Sequence, residues 1–522
     1  MKSIPFRRAL ACAAVLLTLS ALTLSAAAVT YMPGVSAETA SADYWIAQEQ
    51  SPDTVLMTPE EIAALNTAFM DSEGTKMRNV YTLPDTMDTK TLINELCGFT
   101  IAKTYYINGK AAKPSYFEAV RANMKDPAAS AQKPLRYGLV CSNTNLKGYP
   151  IAAIATDSPS NPEYDAFQFN KLLTGDGVVI LAESKDKAWY YVYTRSFNGW
   201  VKSADVAVCA SKQEWMDYLT GGDFLVVTGS KVVLEQSAVD SASSLKLLTI
   251  GTRLPLSPNP VRLQNQRTAF GNHMVLLPTR GTYGGCVLKE VPVPVNRDVQ
   301  VGYLPYTQRN LLTQLFQEQG DRYGWGGMLN ADDCTSYLVN VYRCFGIWLP
   351  NGGLMQAAPE LVVTNLKGYS DAQKMKLISQ LPAGTILQFP GHVVCYLGEK
   401  DGELFVTSAM GSARLADGQY TRVRTVAVST LSTKGSAGNT WLSQIYFGLT
   451  VRLPHLPDLS GLTEAETEAV LALARRNVVD GLSGAAFSPK SSLTGADAVT
   501  LLSRAFRLEE SWLTSADGGG LP

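Results

Sequence analysis

Two residues of this chain have the types and surroundings of a nucleophile and its base. Cys334 follows Asn330-Ala331-Asp332-Asp333 and precedes a run whose apolar positions Tyr337, Leu338, Val341, Tyr342 and Phe345 recur at three and four. That spacing predicts a short amphipathic helix, with an acidic N-cap cluster and Gly346 as its stop. Cys334 then sits in the first turn, where unpaired backbone N–H groups and the positive end of the helix dipole favour thiolate. The same N–H groups could hold an oxyanion. The chain has three histidines, His273, His392 and His455. His392 follows Gly391 and leads a predicted strand over 393–397, which turns at Lys400-Asp401-Gly402 and returns over 404–407. A helix-borne Cys and a strand-borne His, far apart in sequence, are the parts of a thiol nucleophile and its base. By spacing alone the blander alternative stays open, a small core Cys and a structural His.

The elements around this pair can be read from their periods. Before the Cys, Thr307 is a candidate N-cap for a helix that turns Leu311, Leu312, Leu315 and Phe316 inward. After it, residues 381–385 form a turn feeding a strand over 386–389 beside the His392 strand. Residues 43–126 read as helical, with a capping box at Thr58-Pro59-Glu60-Glu61 and Ile62, Leu65, Ala68 and Phe69 on one face. From Leu135 the period changes to two, in short strands separated by Thr174-Gly175-Asp176-Gly177, Ser184-Lys185-Asp186-Lys187 and Phe197-Asn198-Gly199. A second all-β stretch runs over about 223–295. Pro454, Pro457 and Gly461 mark a linker to a tail of two helices, the second capped by Thr494.

Residues 323–327 read YGWGG; Asp333-Cys334 is followed by the hydroxyl residue Thr335; Gly346-Ile347 and Leu349-Pro350 give GI-x-LP; Gly391-His392-Val393 opens the later strand. In this order the motifs resemble the NlpC/P60 cysteine peptidases, papain-like enzymes that cut bacterial cell-wall peptides. The subgroup resembled carries an N-terminal stabilising segment and SH3-type domains, and the likeness covers most of residues 43–451. The resemblance implies a multidomain chain. Its parts are a signal peptide (1–37), a helical N-terminal stabilising segment (38–130), two small all-β SH3-like barrels (131–210 and 211–300), a papain-like α+β catalytic domain (301–452), and a linker with a small helical C-terminal module (453–522). It also implies roles. Cys334 attacks the γ-D-glutamyl-L-diamino acid bond of a peptidoglycan stem peptide through a thioester, and His392 relays the proton. Asp333 and Thr335 hold the peptide's free amino end, and Tyr323 and Trp325 wall the groove. A carboxylate beside a thiol disfavours thiolate, so Asp333 suits an ammonium binder better than an activator; a helix cap is its alternative.

The sequence departs from the family at three places. The third catalytic residue, often a His on the next strand, is here Thr407, with Ser408 beside it. Asn351 stands where the subgroup favours Arg, and Gly384-Thr385 where Gly-Asp is usual. These departures keep two alternatives open: a catalytically weak or inactive wall-binding protein on the same fold, and an acyl- or peptidyl-transferase using the same thioester. The tail resembles one S-layer homology repeat, a module that docks proteins on cell-wall polymers. Its Thr494-Gly495-Ala496-Asp497 replaces the family's Thr-Arg-Ala-Glu, so a secondary wall polymer as partner stands beside a generic helical pair.

Composition bounds the rest. At 522 residues several domains are expected, and 17% charged residues with 46% hydrophobic ones exclude a disordered chain. A net charge of −1 lacks the basic field of a nucleic-acid binder. No metal-ligand spacing occurs and no cofactor is implied. Lys2, Arg7 and Arg8 followed by the apolar run 9–29 read as an export signal, with Val35-Ser36-Ala37 as cleavage site and Glu38 as the mature start; an uncleaved anchor is the alternative. Cys12 precedes most of that run and so does not suit a lipoprotein site. No later segment is apolar enough to span a membrane, which predicts a secreted or wall-associated protein. Leaving out Cys12, the cysteines are Cys97, Cys141, Cys209, Cys286, Cys334, Cys344 and Cys395, an odd set without paired spacing and a poor disulfide framework.

Overall fold

The structure, a computed structural model, describes residues 29–161, 163–238, 240–258, 270–415, 418–482 and 486–506. Most of the expected export signal lies outside the described residues. Among the described residues no helix is long and apolar enough to cross a membrane.

The helices α1 (Ala42–Ile46), α2 (Pro59–Asp71), α3 (Thr89–Cys97) and α4 (Pro114–Met124) occupy the N-terminal part. They do not form one segment. Trp45, Ile46, Ile62, Leu65 and Phe69 of α1 and α2 join the core of the α+β region that holds Cys334 and His392. Ile93, Phe117, Val120 and Met124 of α3 and α4 join the core of the first β unit.

That unit is a seven-stranded antiparallel sheet made from β1 (Arg136–Val140), β2 (Thr144–Lys147), β3 (Gln168–Leu172), β4 (Gly177–Glu183), β5 (Trp189–Tyr193), β6 (Asn198–Lys202) and β7 (Val206–Val208). Its order is β7-β1-β4-β5-β6-β2-β3. Successive strand residues face opposite sides, which explains the unbroken apolar WYYVY of β5. Tyr190 and Val192 fill the barrel interior with Val201 and Val206, while Trp189 and Tyr191 face out under the covering helices. The helix α5 (Lys212–Thr220) is another such cover. Although it falls in the range expected for the second barrel, its Trp215 packs into the outer core of the first and donates through Nε1 to Gly138 O at 3.1 Å.

The second β unit has its own core of Leu225, Val227, Leu248, Leu254, Val275 and Val293. It comprises β8 (Phe224–Val227), β9 (Lys231–Val233), β10 (Leu247–Thr249), β11 (Arg253–Pro255), β12 (Asn272–Arg280), β13 (Cys286–Pro294) and β14 (Val299–Val301). These pair as a three-stranded sheet, β11-β8-β14, and two hairpins, β9-β10 and β12-β13.

The α+β region that follows contains α6 (Gln308–Leu315), whose N-cap Thr307 accepts from Asn310 N at 3.2 Å, and α7 (Cys334–Arg343). Its sheet uses β15 (Val362–Asn365), β16 (Ile386–Phe389), β17 (His392–Lys400), β18 (Glu403–Met410), β19 (Thr425–Thr430) and β20 (Phe447–Thr450) in the order β15-β20-β16-β17-β18-β19. Val393, Cys395 and Leu397 pack toward α6 and α7. Val394 and Tyr396 face the other core, with α8 (Asp371–Ile378) and α9 (Trp441–Gln444). The tail holds α10 (Glu464–Arg475) and α11 (Gly495–Phe506). Asn477 Nδ2 ties it to Thr364 Oγ1 of β15 at 3.0 Å.

Candidate active site

Cys334 is the first residue of α7, and Asp333 is its cap. Oδ1 of Asp333 accepts from the amides of Thr335 (3.0 Å) and Ser336 (2.8 Å), and Oδ2 accepts from Gly326 N at 3.0 Å. Asp333 thus caps the helix and latches the YGWGG loop to it. Two first-turn amides are thereby used. The N–H of Cys334 itself has no hydrogen-bond acceptor among the described residues, so it is the donor left for an oxyanion. Burial pushes the Cys334 thiol up to about 12, with the Asp333 carboxylate adding to the rise; the Val393 amide and Thr335 oppose it. Thr335 packs against Gly352, where an added Cβ would lie 2.3 Å from its Oγ1. Asp333, Cys334 and Thr335 are all half-buried.

His392, half-buried at the head of β17, packs edge-on against Phe389 (ring centroids 5.3 Å apart) and at a tilt against Trp441 (5.2 Å). Its Nε2 lies 3.3 Å from Ser408 Oγ. The nitrogen left for a thiol is Nδ1. Burial lowers the imidazole to about 4, so it is neutral near pH 7. Cys334 and His392 line one cleft of about 420 Å³. No hydrogen bond joins the two side chains.

The expectation that Thr407 orients the imidazole needs correction. Thr407 is fully buried, accepts from Gln319 Nε2 at 2.7 Å and lies 3.3 Å from Tyr337 Oη of α7. Its neighbour Ser408 points to the opposite face, as adjacent strand residues must, and meets His392.

The loop before the Cys is held by the first β unit. Trp325 Nε1 donates to Asp165 O at 3.1 Å, and Tyr164 packs edge-on against Trp325 at 5.3 Å. Gln168 Nε2 of β3 donates to Gly326 O at 2.8 Å. Lys171 Nζ, also on β3, donates to Ala331 O at 3.1 Å and pairs with buried Asp332 at 3.2 Å. Asn340 of α7 donates to Asp332 Oδ1 at 3.0 Å, the same oxygen that Lys171 approaches. Glu318 lies beside this pair, its carboxyl raised well above the usual range by burial first and then by Asp332. Gly326 and Gly327 have φ of +57° and +80°, and Cβ atoms there would come within 2.7 Å of Gln168 and 2.3 Å of Lys171. Their glycine identity therefore reflects the docking of β3 as much as the turn.

Tyr323 is buried and lines the cleft, its hydroxyl raised by burial first and then by Cys334 and Asp333; Trp325 is 39% exposed at the cleft wall. Residues that sequence reasoning passed over complete the wall. Phe169 of β3 is 47% exposed. Arg195 lies 4.0 Å over the Trp348 ring and donates to Tyr81 Oη at 2.7 Å. Both contributions come from the first β unit, more than a hundred residues before Cys334, and no local signal marks them.

The family model for NlpC/P60 matches residues 320–430, and that for the SH3 domain of SH3b1 type matches residues 156–202. In structure the chain is similar to an NlpC/P60 endopeptidase from Photobacterium damselae subsp. piscicida, with 17% identity, a TM-score of 0.62, and coverage of 81% of this chain and 98% of that one. At that identity the likeness shows a shared fold. NlpC2 from Trichomonas vaginalis matches with 11% identity and a TM-score of 0.21 over 57% of this chain and 97% of that one, too loose a superposition to argue from. No curated protein matches the chain. The likeness to the NlpC/P60 family read from the sequence is thus shown for residues 320–430, with an SH3 domain ahead of them.

Proposed function

We propose that this chain, with an NlpC/P60 domain at residues 320–430 as the premise, is a cysteine endopeptidase that acts on peptidoglycan stem peptides. The observation that carries the reading is a helix-borne thiol and a neutral, Ser-anchored imidazole lining one cleft. The scissile bond is the γ-D-glutamyl-L-diamino acid linkage. His392 Nδ1 takes the Cys334 proton as sulfur attacks the carbonyl, and the Cys334 N–H receives the developing oxyanion. Collapse forms a thioester and releases the amine, which takes the proton from His392; water then hydrolyses the thioester. Thr335 and the Asp333 carboxylate beside it bind the peptide's amino end, with Asp333 doing so in addition to its capping bonds. Phe169 and Trp325 close the groove around the peptide. No cofactor enters this chemistry. The protein is exported by its N-terminal signal, and the C-terminal module docks on a wall polymer. Incubation of purified protein with defined stem peptides, read by mass spectrometry, tests the peptidase.

A second reading, a wall-binding protein of little or no activity, is favoured by two observations: sulfur and imidazole are not hydrogen-bonded, and the thiol is pushed up to about 12. It forecasts that sacculi are retained by the chain and by Cys334→Ala alike, with peptides left intact by both.

A further inference from the structure

The two β units meet where β7 ends and β13 begins. Val208 and Gly285 form a parallel bridge, and Val208 N donates to Gly284 O at 2.9 Å. The next residue on each strand is a cysteine, Cys209 and Cys286, so their side chains start from neighbouring positions on one face. Glu214, in the first turn of α5, brings a carboxylate to the same place. The two sulfurs and a Glu214 carboxylate oxygen all lie within 4.8 Å of one another. Cys209 is buried and the other two are half-buried. A third thiol, buried Cys141, is close enough that its pKa is raised to about 12, by burial first and then by Cys286.

Gathering thiols and a carboxylate in a half-dry pocket costs free energy unless something draws them together. A tetrahedral zinc-class ion does so: ligand bonds of about 2.0–2.3 Å leave donor atoms roughly 3.5 Å apart, a small contraction from the present spacing. A disulfide would use the two sulfurs and leave the carboxylate without a part. One Glu214 oxygen accepts from Ala210 N, just ahead of α5, at 2.6 Å, which leaves the other for a ligand.

We propose that Cys209, Cys286 and Glu214 form a structural binding site for a thiophilic divalent cation of the zinc class, with the fourth position open to Cys141 or water. The ion would clamp the SH3-type unit to the β12–β13 hairpin beside two existing polar ties, Val208 N to Gly284 O at 2.9 Å and Arg280 Nη1 to Val206 O at 2.7 Å. This site stands apart from the Cys334 cleft and does not rest on the peptidase reading.

The test uses the full chain carrying Cys334→Ala, so that the cleft thiol contributes nothing. Elemental analysis is expected to give about one zinc per chain after loading and desalting. Cobalt(II) substitution is expected to give the near-ultraviolet thiolate charge-transfer band and the intense visible bands of tetrahedral cobalt. Cys209→Ser with Cys286→Ser should abolish both bands. Glu214→Gln, which keeps both thiols, should weaken cobalt affinity by about tenfold or more. A chelator should lower the melting temperature of the parent and leave the double serine variant unmoved. Recovery of Cys209 and Cys286 as one disulfide-linked peptide in a metal-free chain would overturn the proposal. So would ready alkylation of both thiols in a chain that gives no cobalt spectrum. An unchanged cobalt spectrum and affinity in Glu214→Gln would remove the carboxylate from the site and overturn it as stated.

Discussion

His392 Nε2 stands 3.3 Å from Ser408 Oγ, while the hydroxyl of the neighbouring Thr407 lies on the far side of the sheet against Gln319 and Tyr337. For His392 to act as base through Nδ1, the proton must sit on Nε2 and point at the Ser408 oxygen. A hydroxyl in that role orients the ring without the charge stabilisation a carboxylate would add.

The two hydroxyls therefore separate by experiment. Ser408→Ala is expected to lower kcat by about tenfold with little change in melting, because it frees the imidazole to turn. Thr407→Val keeps the shape but leaves Gln319 without its acceptor in a buried site, at a cost of about 1–3 kcal/mol. Steady-state kinetics beside denaturant unfolding of both variants checks the split.

The pH dependence has a definite sign. Burial moves His392 from 6.5 to about 4, so between those values the unfolded chain binds a proton that the folded chain does not. Stability from this group is complete above the unfolded value and is lost as pH falls toward the folded one, at up to about 1.4 kcal/mol per pH unit. Unfolding free energies across that window should fall more steeply for the parent than for His392→Gln. The acid limb of kcat/KM should likewise lie nearer 4 than 6.5.

With its thiol raised to about 12, Cys334 is protonated near neutrality in the free chain. Alkylation by iodoacetamide, followed by peptide mass spectrometry, should be slow there and climb steadily into the alkaline range. Rapid modification near pH 7 would mean a preformed thiolate and a different ground state.

Lys171 and Asp332 form an ion pair in which both side chains are at most 3% exposed. Removing one partner strands the other in the interior, so Lys171→Met should cost about 3–5 kcal/mol. Gly327→Ala should cost at least about 2 kcal/mol, since the new methyl meets Lys171 at a positive φ. Both changes loosen the β3 contact with the loop before Cys334, and both should raise KM for stem peptides. Calorimetry and kinetics on the same samples test this.

Local chemistry was legible in the sequence wherever it was self-contained. The Asp401-Gly402 turn has φ of +53° and +79°, as a tight hairpin with Gly demands. The Thr58–Glu61 capping box forms with bonds of 2.7 and 3.3 Å. The start of α7 at Cys334 followed from its cap and its period. What depends on distant chain was not legible. The choice between Thr407 and Ser408 turns on strand register, which a bulge between Tyr396 and Gly398 shifts. Gly326 and Gly327 of YGWGG answer to Gln168 and Lys171, some 160 residues away in sequence. The division of the N-terminal helices between two cores follows from which apolar faces were left uncovered, a property of the assembled sheets.

The most direct test of the central claim is mass spectrometry of free stem peptides and muropeptides incubated with the full chain and, in parallel, with Cys334→Ala. The expected result is a new amine end at the diamino acid and a new γ-D-glutamyl carboxylate, both absent with the variant. Intact peptides from both proteins, with sacculi still retained by each, would contradict the peptidase and leave a wall-binding protein on this fold.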